Sequence, residues 1–111
     1  IGLDVTTQCR LSTDACRARL KAADLDVIAD MLDVEAPPRH EVLFHDPLAA
    51  AVVFEPDLCR FRTGRVEVRL SPVESTGTTC LVPDTESGLH RVAWAVEAGR
   101  FFERYWQTIG R

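Results

Sequence analysis

The apolar residues of this chain change their spacing twice, and that change limits the fold more than any other feature of the sequence. Up to residue 56 they recur at helical intervals: Leu25, Ile28 and Leu32 form one such set, and Leu48, Ala51 and Val52 another. From residue 65 to 70 the interval becomes two. Val66, Val68 and Leu70 there alternate with Arg65, Glu67 and Arg69, as in a half-buried strand. Near the end the spacing is helical again, and Phe102, Tyr105, Trp106 and Ile109 make an aromatic stripe suited to core packing. The implied fold class is α+β.

Local signals fill in the elements. Residues Ile1 to Val5 read as a short strand. Ser12, Thr13 and Asp14 offer N-caps for a helix running to about Ala22, and Asp24 offers a cap for the next. Pro37-Pro38 stops that helix, since proline cannot continue a hydrogen-bonded turn. Residues 36 to 44 connect it to "HDPLAAAVVFEP", where Asp46 and Pro47 read as an N-cap followed by proline in the first helical position. Pro56 closes that segment. "TTCLV" is a second strand after a turn at Gly77, and "RVAWAVEA" is a third, with Val92, Trp94 and Val96 on one face. Strands this close in sequence favour antiparallel pairing. The lone first strand pairs in parallel if its neighbours come from an absent N-terminal half. Gly77 and Gly88 are isolated turn glycines rather than a phosphate loop.

Composition sets the class of partner. The chain has 111 residues, enough for one domain, with 46% apolar and 27% charged residues. A net charge of -4 argues against a nucleic acid held by its phosphates. No apolar run is long enough to span a bilayer, and no secretory signal pattern is visible. Cysteines at 9, 16, 59 and 80 lack the spacing of zinc or redox motifs. They read as buried thiols in a reducing compartment, which implies a cytoplasmic location. The opening "IGLDV" is strand-like from its first residue and the only methionine is Met31, so the sequence reads as a piece of something longer.

The chemistry-bearing candidate is His45-Asp46. Asp46 is explained as a cap and needs no further role, and His45 beside a helix start can be an ordinary surface residue. An adjacent His-Asp pair also occurs in metal-dependent phosphohydrolases. Those need further ligands on other helices, and His40 and His90 do not supply that pattern. Ser12-Thr13-Asp14 is a cap rather than a nucleophile with its base. On residue types and spacing alone the chain is an α+β domain with no assigned activity.

Two blocks carry a resemblance. "GLDVTTQCRLSTDACRARL" and "FHDPLAAAVVFEPDLCRF" resemble the C-terminal part of inosine-uridine-preferring nucleoside hydrolases, which have a "PLDVTH"-like segment, a Thr-capped helix, a variable loop, "HDPLAVA" and a "DPxLF" ending. "VEVRLSPVESTGTTCLVPD" and "RVAWAVEAGRFFERYW" are similar to that family's closing strands and last helix. The "HDPLA" block is the most specific of these.

The resemblance implies that residues 1–111 are a single domain, the C-terminal segment of a nucleoside-hydrolase-like α/β fold whose complete sheet is mostly parallel. It implies cleavage of the N-glycosidic bond of a nucleoside substrate, with calcium as cofactor in the complete enzyme. Asp46 becomes a calcium ligand and His45 the catalytic acid that protonates the leaving base. The chemistry is compatible. Calcium takes about six to eight oxygen ligands, and a carboxylate at a helix start can be held toward it. N-glycosidic cleavage develops an oxocarbenium-like sugar and charge on the base, which an imidazole is suited to neutralise. A calcium-bound water is expected to attack the ribose.

The chain also departs from the family. The "DTDxGxDDA" loop supplying most calcium carboxylates is absent, as are the segments that grip the ribose. At the first block Gln8 stands in place of the family's histidine, and the short loop carrying His40 stands where the family contacts the base. The chain alone is therefore expected to be inactive and to bind calcium weakly. Expected partners are the nucleoside and further copies of the protein as a homo-oligomer, with no nucleic acid and no membrane. The rival expectation is a non-catalytic α+β module that associates through exposed strand edges.

Overall fold

The structure, a computed structural model, describes residues 1–35, 41–83 and 89–110. Pro37, Pro38, His40, Asp84 and Gly88 lie outside them. The first element corrects an expectation: residues 1 to 5 are not a strand. The Gly2 carbonyl accepts from the Val5 and Thr6 amides at 3.1 Å each, closing a turn that becomes α1 (Leu3–Thr6). Local hydrogen bonds thus override the β-branched composition, and Val5 and Thr6 turn inward. No parallel edge exists there.

Strand β1 (Arg10–Ser12) follows directly, and Ser12 accepts from the Ala15 amide to cap α2 (Thr13–Ala22) as expected. Asp24 does not cap the next helix. It sits at φ 57, in the left-handed region, just past the end of α2. The Leu25 amide reaches back to the Leu20 carbonyl and the Asp24 amide to that of Lys21, the hydrogen-bond pair of a Schellman C-cap. Helix α3 (Asp26–Glu35) then begins two residues on. Leu25, Ala29 and Leu32 of this region pack toward the core, whereas Val27, Met31 and Val34 are exposed.

Strand β2 (Glu41–Leu43) pairs antiparallel with β1, Arg10 opposite Leu43 and Ser12 opposite Glu41. The sequence reading had no element at either strand. Helix α4 (His45–Phe54) starts two residues earlier than expected: Phe44 occupies the cap position, without a side-chain cap bond, and Asp46 lies inside the first turn. Proline is tolerated there because amides of the first turn have no helical acceptor. A 3-10 turn over Pro56–Leu58 ends the segment.

The second sheet has strand order β4-β3-β5, all antiparallel as expected. Strand β3 (Cys59–Val68) begins well before the alternating residues, and Leu70 lies beyond it, exposed. Strand β4 is Thr79–Pro83 and β5 is His90–Val96. In β5 the expected face is interrupted. Arg60 pairs with Ala95 but Phe61 with Ala93, so Trp94 is an extra residue at a bulge. The bulge puts Ala93 in the core and leaves Trp94 half-exposed, with Arg62 over its ring at 4.7 Å.

Helix α5 (Ala98–Ile109) carries the expected stripe against the core, with the fully buried Phe101 beside it. Its anchor is Phe44, 4% exposed, whose ring meets Phe102, Tyr105, Phe101 and Trp106 edge-on at 5.1, 5.3, 6.2 and 6.2 Å. Arg100 pairs with Asp57 at 2.7 Å and Arg104 pairs with Glu55, fastening α5 to the end of α4. The cysteines are free thiols, Cys9, Cys16 and Cys59 buried and Cys80 partly so. Burial, reinforced by the nearby Cys59, pushes the Cys9 thiol up to about 11.

The molecule is flat, 49 × 33 × 17 Å, with a radius of gyration of 17.0 Å where about 13 Å is usual for this length. Its core is correspondingly thin, and apolar side chains such as Phe54 at 85% and Val34 at 84% face outward.

Candidate functional site

The short β1–β2 ladder builds the site. It sets the residues before Arg10 beside those after Leu43, and the Phe44 amide continues the pairing with a 2.9 Å bond to the Cys9 carbonyl. Helix α1 thereby lies against the start of α4. Thr6, 4% exposed, brings its hydroxyl to 2.6 Å from Nδ1 of His45. His45 is half-buried, as the first residue of α4. Among the described residues Nε2 has no hydrogen-bond partner.

Asp46 follows on the same turn with an exposed side chain and no hydrogen-bond or ion-pair partner among the described residues. A carboxylate in a helix's first turn interacts favourably with the amide dipoles there. That is a milder role than the cap expected from the Asp-Pro pair. Among the described residues no three His, Cys, Asp or Glu side chains converge on a point that could hold a metal. Asp46 is one carboxylate against the six or so oxygens calcium requires, so these residues do not form a calcium site by themselves. His90 is remote in the topology: its Nδ1 accepts from the Val66 amide across the second sheet at 3.3 Å.

Two open grooves among the described residues adjoin these elements. One, about 440 Å³, runs between α4 and α5 and is lined by Pro47, Ala51, Phe54, Tyr105 and Ile109 among others. The other, about 490 Å³, lies between α1 and the second sheet, with Asp4, Arg62, Cys80 and Trp94 in its walls. Neither is lined by His45 or Asp46. The residue that sequence reasoning missed is Thr6. It falls inside the quoted "LDVTT" block, but nothing in its spacing ties it to residue 45.

No family model matches the chain, and no curated protein matches it as a sequence relative. Solved structures do match. The chain is similar to a purine-preferring ribonucleoside hydrolase from Gardnerella vaginalis, with a TM-score of 0.70 and 24% identity, covering 98% of this chain and 38% of that one. It is also similar to a plant nucleoside hydrolase, the PpNRh1 enzyme, with a TM-score of 0.71 and 17% identity over 99% of this chain and 40% of that one. The chain thus spans about two fifths of the length of the structures it matches. Its helices and antiparallel sheets have the fold of the C-terminal portion of nucleoside hydrolases.

Proposed function

We propose that this chain is the C-terminal portion of a nucleoside hydrolase, in which His45 donates a proton to the departing base. The observation that carries the reading is His45 itself, at the start of α4 in a nucleoside-hydrolase-like fold, with Nδ1 against a buried hydroxyl and Nε2 unengaged. As the C1′–N bond breaks, its electron pair moves onto the base. The proton on Nε2 of the charged ring passes to a base nitrogen, and water completes the sugar. Asp46 contributes one carboxylate to a calcium site whose other oxygens come from outside these residues. The exposed area supports a larger assembly around the chain: 7939 Å², against about 6,100 Å² for a compact monomer of this mass.

The test uses the complete enzyme. His45→Ala is expected to slow hydrolysis of purine nucleosides by about 10²- to 10⁴-fold. It is expected to spare p-nitrophenyl riboside, whose leaving group needs no proton. Equal losses on the two substrates would make His45 structural.

A second reading is the non-catalytic module that associates through strand edges. It is favoured by the second sheet, where β4 and β5 each have one unpaired edge among the described residues. Concentration-dependent association of the chain, blocked by a proline placed in β5, supports this reading, provided the complete protein hydrolyses no nucleoside.

A further inference from the structure

We infer that Thr6 is a positioning residue for His45, holding Nδ1 so that Nε2 is the nitrogen left to face substrate; the inference rests on the reading of His45 as proton donor. The contact joins an almost fully buried hydroxyl to a half-buried ring across the α1–α4 junction, and at 2.6 Å it is short. The direction of the bond follows from competition for acceptors. Among the described residues the other acceptor within reach of the Thr6 hydroxyl is the Leu3 carbonyl, 3.4 Å away. That carbonyl already receives the Thr7 amide at 2.9 Å and the Thr7 hydroxyl at 2.7 Å, which occupy its two lone pairs. The Thr6 proton therefore goes to Nδ1 when the ring is neutral, and the ring's own proton resides on Nε2. A hydroxyl can also accept, so the same contact holds Nδ1–H when the ring is charged. In both resting states Nε2 carries hydrogen and points away from Thr6; when the charged ring gives up that proton, the remaining one stays on Nδ1, held by the Thr6 oxygen.

Two features make the arrangement directional. Thr6 is fixed by α1, whose carbonyl ladder starts at Gly2, and His45 is fixed by α4, whose first bond runs from the Leu48 amide to the Phe44 carbonyl. The β1–β2 ladder locks the two elements together. A ring tied at Nδ1 in this way cannot exchange its nitrogens by rotation without abandoning a buried hydroxyl, which is unfavourable.

The decisive measurement is ¹⁵N NMR of the imidazoles in this chain at a pH where they are uncharged, with His45 assigned from a His45→Gln variant. The expected result is a His45 ring protonated at Nε2 and bare at Nδ1, plus a slowly exchanging Thr6 hydroxyl proton that correlates with Nδ1. Thr6→Val is expected to lose that proton signal and to relax the ring toward the tautomer mixture of free imidazole, and Thr6→Ser to restore both. A proton found on Nδ1 in the unsubstituted chain overturns the inference even if the valine variant does not fold. In the complete enzyme Thr6→Val is expected to lower kcat on nucleosides about 3- to 10-fold, the value of one hydrogen bond. KM and turnover of p-nitrophenyl riboside are expected to hold, with serine again restoring activity. If His45→Ala shows no base-dependent loss, the proton-donor reading fails while the NMR result stands. If His45→Ala shows that loss but Thr6→Val affects neither spectrum nor kcat, the inference about Thr6 fails alone.

Discussion

Phe44 is the residue whose removal tests the packing argument most directly, because it joins α5 to the α4 junction where His45 begins. Its ring is 4% exposed and meets four aromatic rings of α5 edge-on. Phe44→Ala removes a buried ring and leaves a cavity that a thin core cannot collapse around fully. Such substitutions cost about 3–5 kcal/mol. Part of that is transfer, about 1.5–3 kcal/mol, and the rest is void and lost ring-edge attraction. For a chain of this length the loss corresponds to a fall in Tm of roughly 12–20 °C. Phe44→Leu keeps most of the volume and is expected to cost under about 1.5 kcal/mol. Phe54→Ala is the control, since Phe54 is 85% exposed, and its expected change is within about 0.5 kcal/mol. Urea unfolding followed by tryptophan fluorescence gives all three, with Trp106 reporting beside the lost ring. A Phe44→Ala loss below about 1.5 kcal/mol, or one equal to that of Phe54→Ala, refutes the assignment of Phe44 as the anchor.

Other consequences are testable with the same material. Asp24→Gly is expected to stabilise the chain by about 0.5 kcal/mol, because glycine enters the left-handed region at Asp24 without strain, and a lower midpoint in urea would rule out the C-cap assignment. Gly64→Ala is expected to cost about 1–3 kcal/mol, since a Cβ there runs into the Val82 carbonyl of the paired strand; a neutral result would mean the β3–β4 approach is looser than described. The Cys9 thiol is raised from 9.0 to about 11, so its contribution to stability is complete below pH 9 and is lost as pH climbs toward 11. The expected slope from Cys9 in that window is up to about 1.4 kcal/mol per pH unit, and Cys9→Ala should reduce the total slope, with Cys16 and Cys59, also raised by burial, supplying what remains. On the proposed function, Asp46→Ala is expected to abolish calcium-dependent hydrolysis in the complete enzyme, and calorimetry of this chain alone is expected to show no micromolar calcium binding.

Much of the fold is legible in the sequence where one pattern had one physical reading. The α5 stripe, the Ser12 cap and the β4 strand each follow from periodicity or capping chemistry that nothing competes with. The misreadings occur where two local rules fit the same residues. "GLDV" has strand composition, but a single turn of helix satisfies its amides without any partner strand. Asp24 is as good in a left-handed C-cap as in an N-cap, and only the hydrogen bonds to Leu20 and Lys21 decide between them. In β5 the alternation of Val92, Trp94 and Val96 is real in sequence, and a bulge that no residue type announces moves the buried position to Ala93.

The candidate site was legible only in part, and the reason is the same at a smaller scale. His45 and Asp46 are conspicuous as residue types, but the Asp-Pro pair does not fix where the helix begins. Proline lacks an amide proton, and the amides of the whole first turn lack helical acceptors, so Pro47 is as comfortable in the third helical position as in the first. Shifting the start by two residues makes Phe44 the cap, buries its ring under α5, and turns His45 from a flanking residue into the first residue of the helix. The partner of His45 is then set by β1 and β2, two strands of three residues each, too short to show an alternating pattern. The contact between Thr6 and His45 spans 39 positions and depends on that ladder alone. A long-range pair held by so short an element leaves no periodic trace in sequence. It becomes visible only when the register Arg10–Leu43 is known, and at that point a buried hydroxyl beside an imidazole is what gives the histidine its direction.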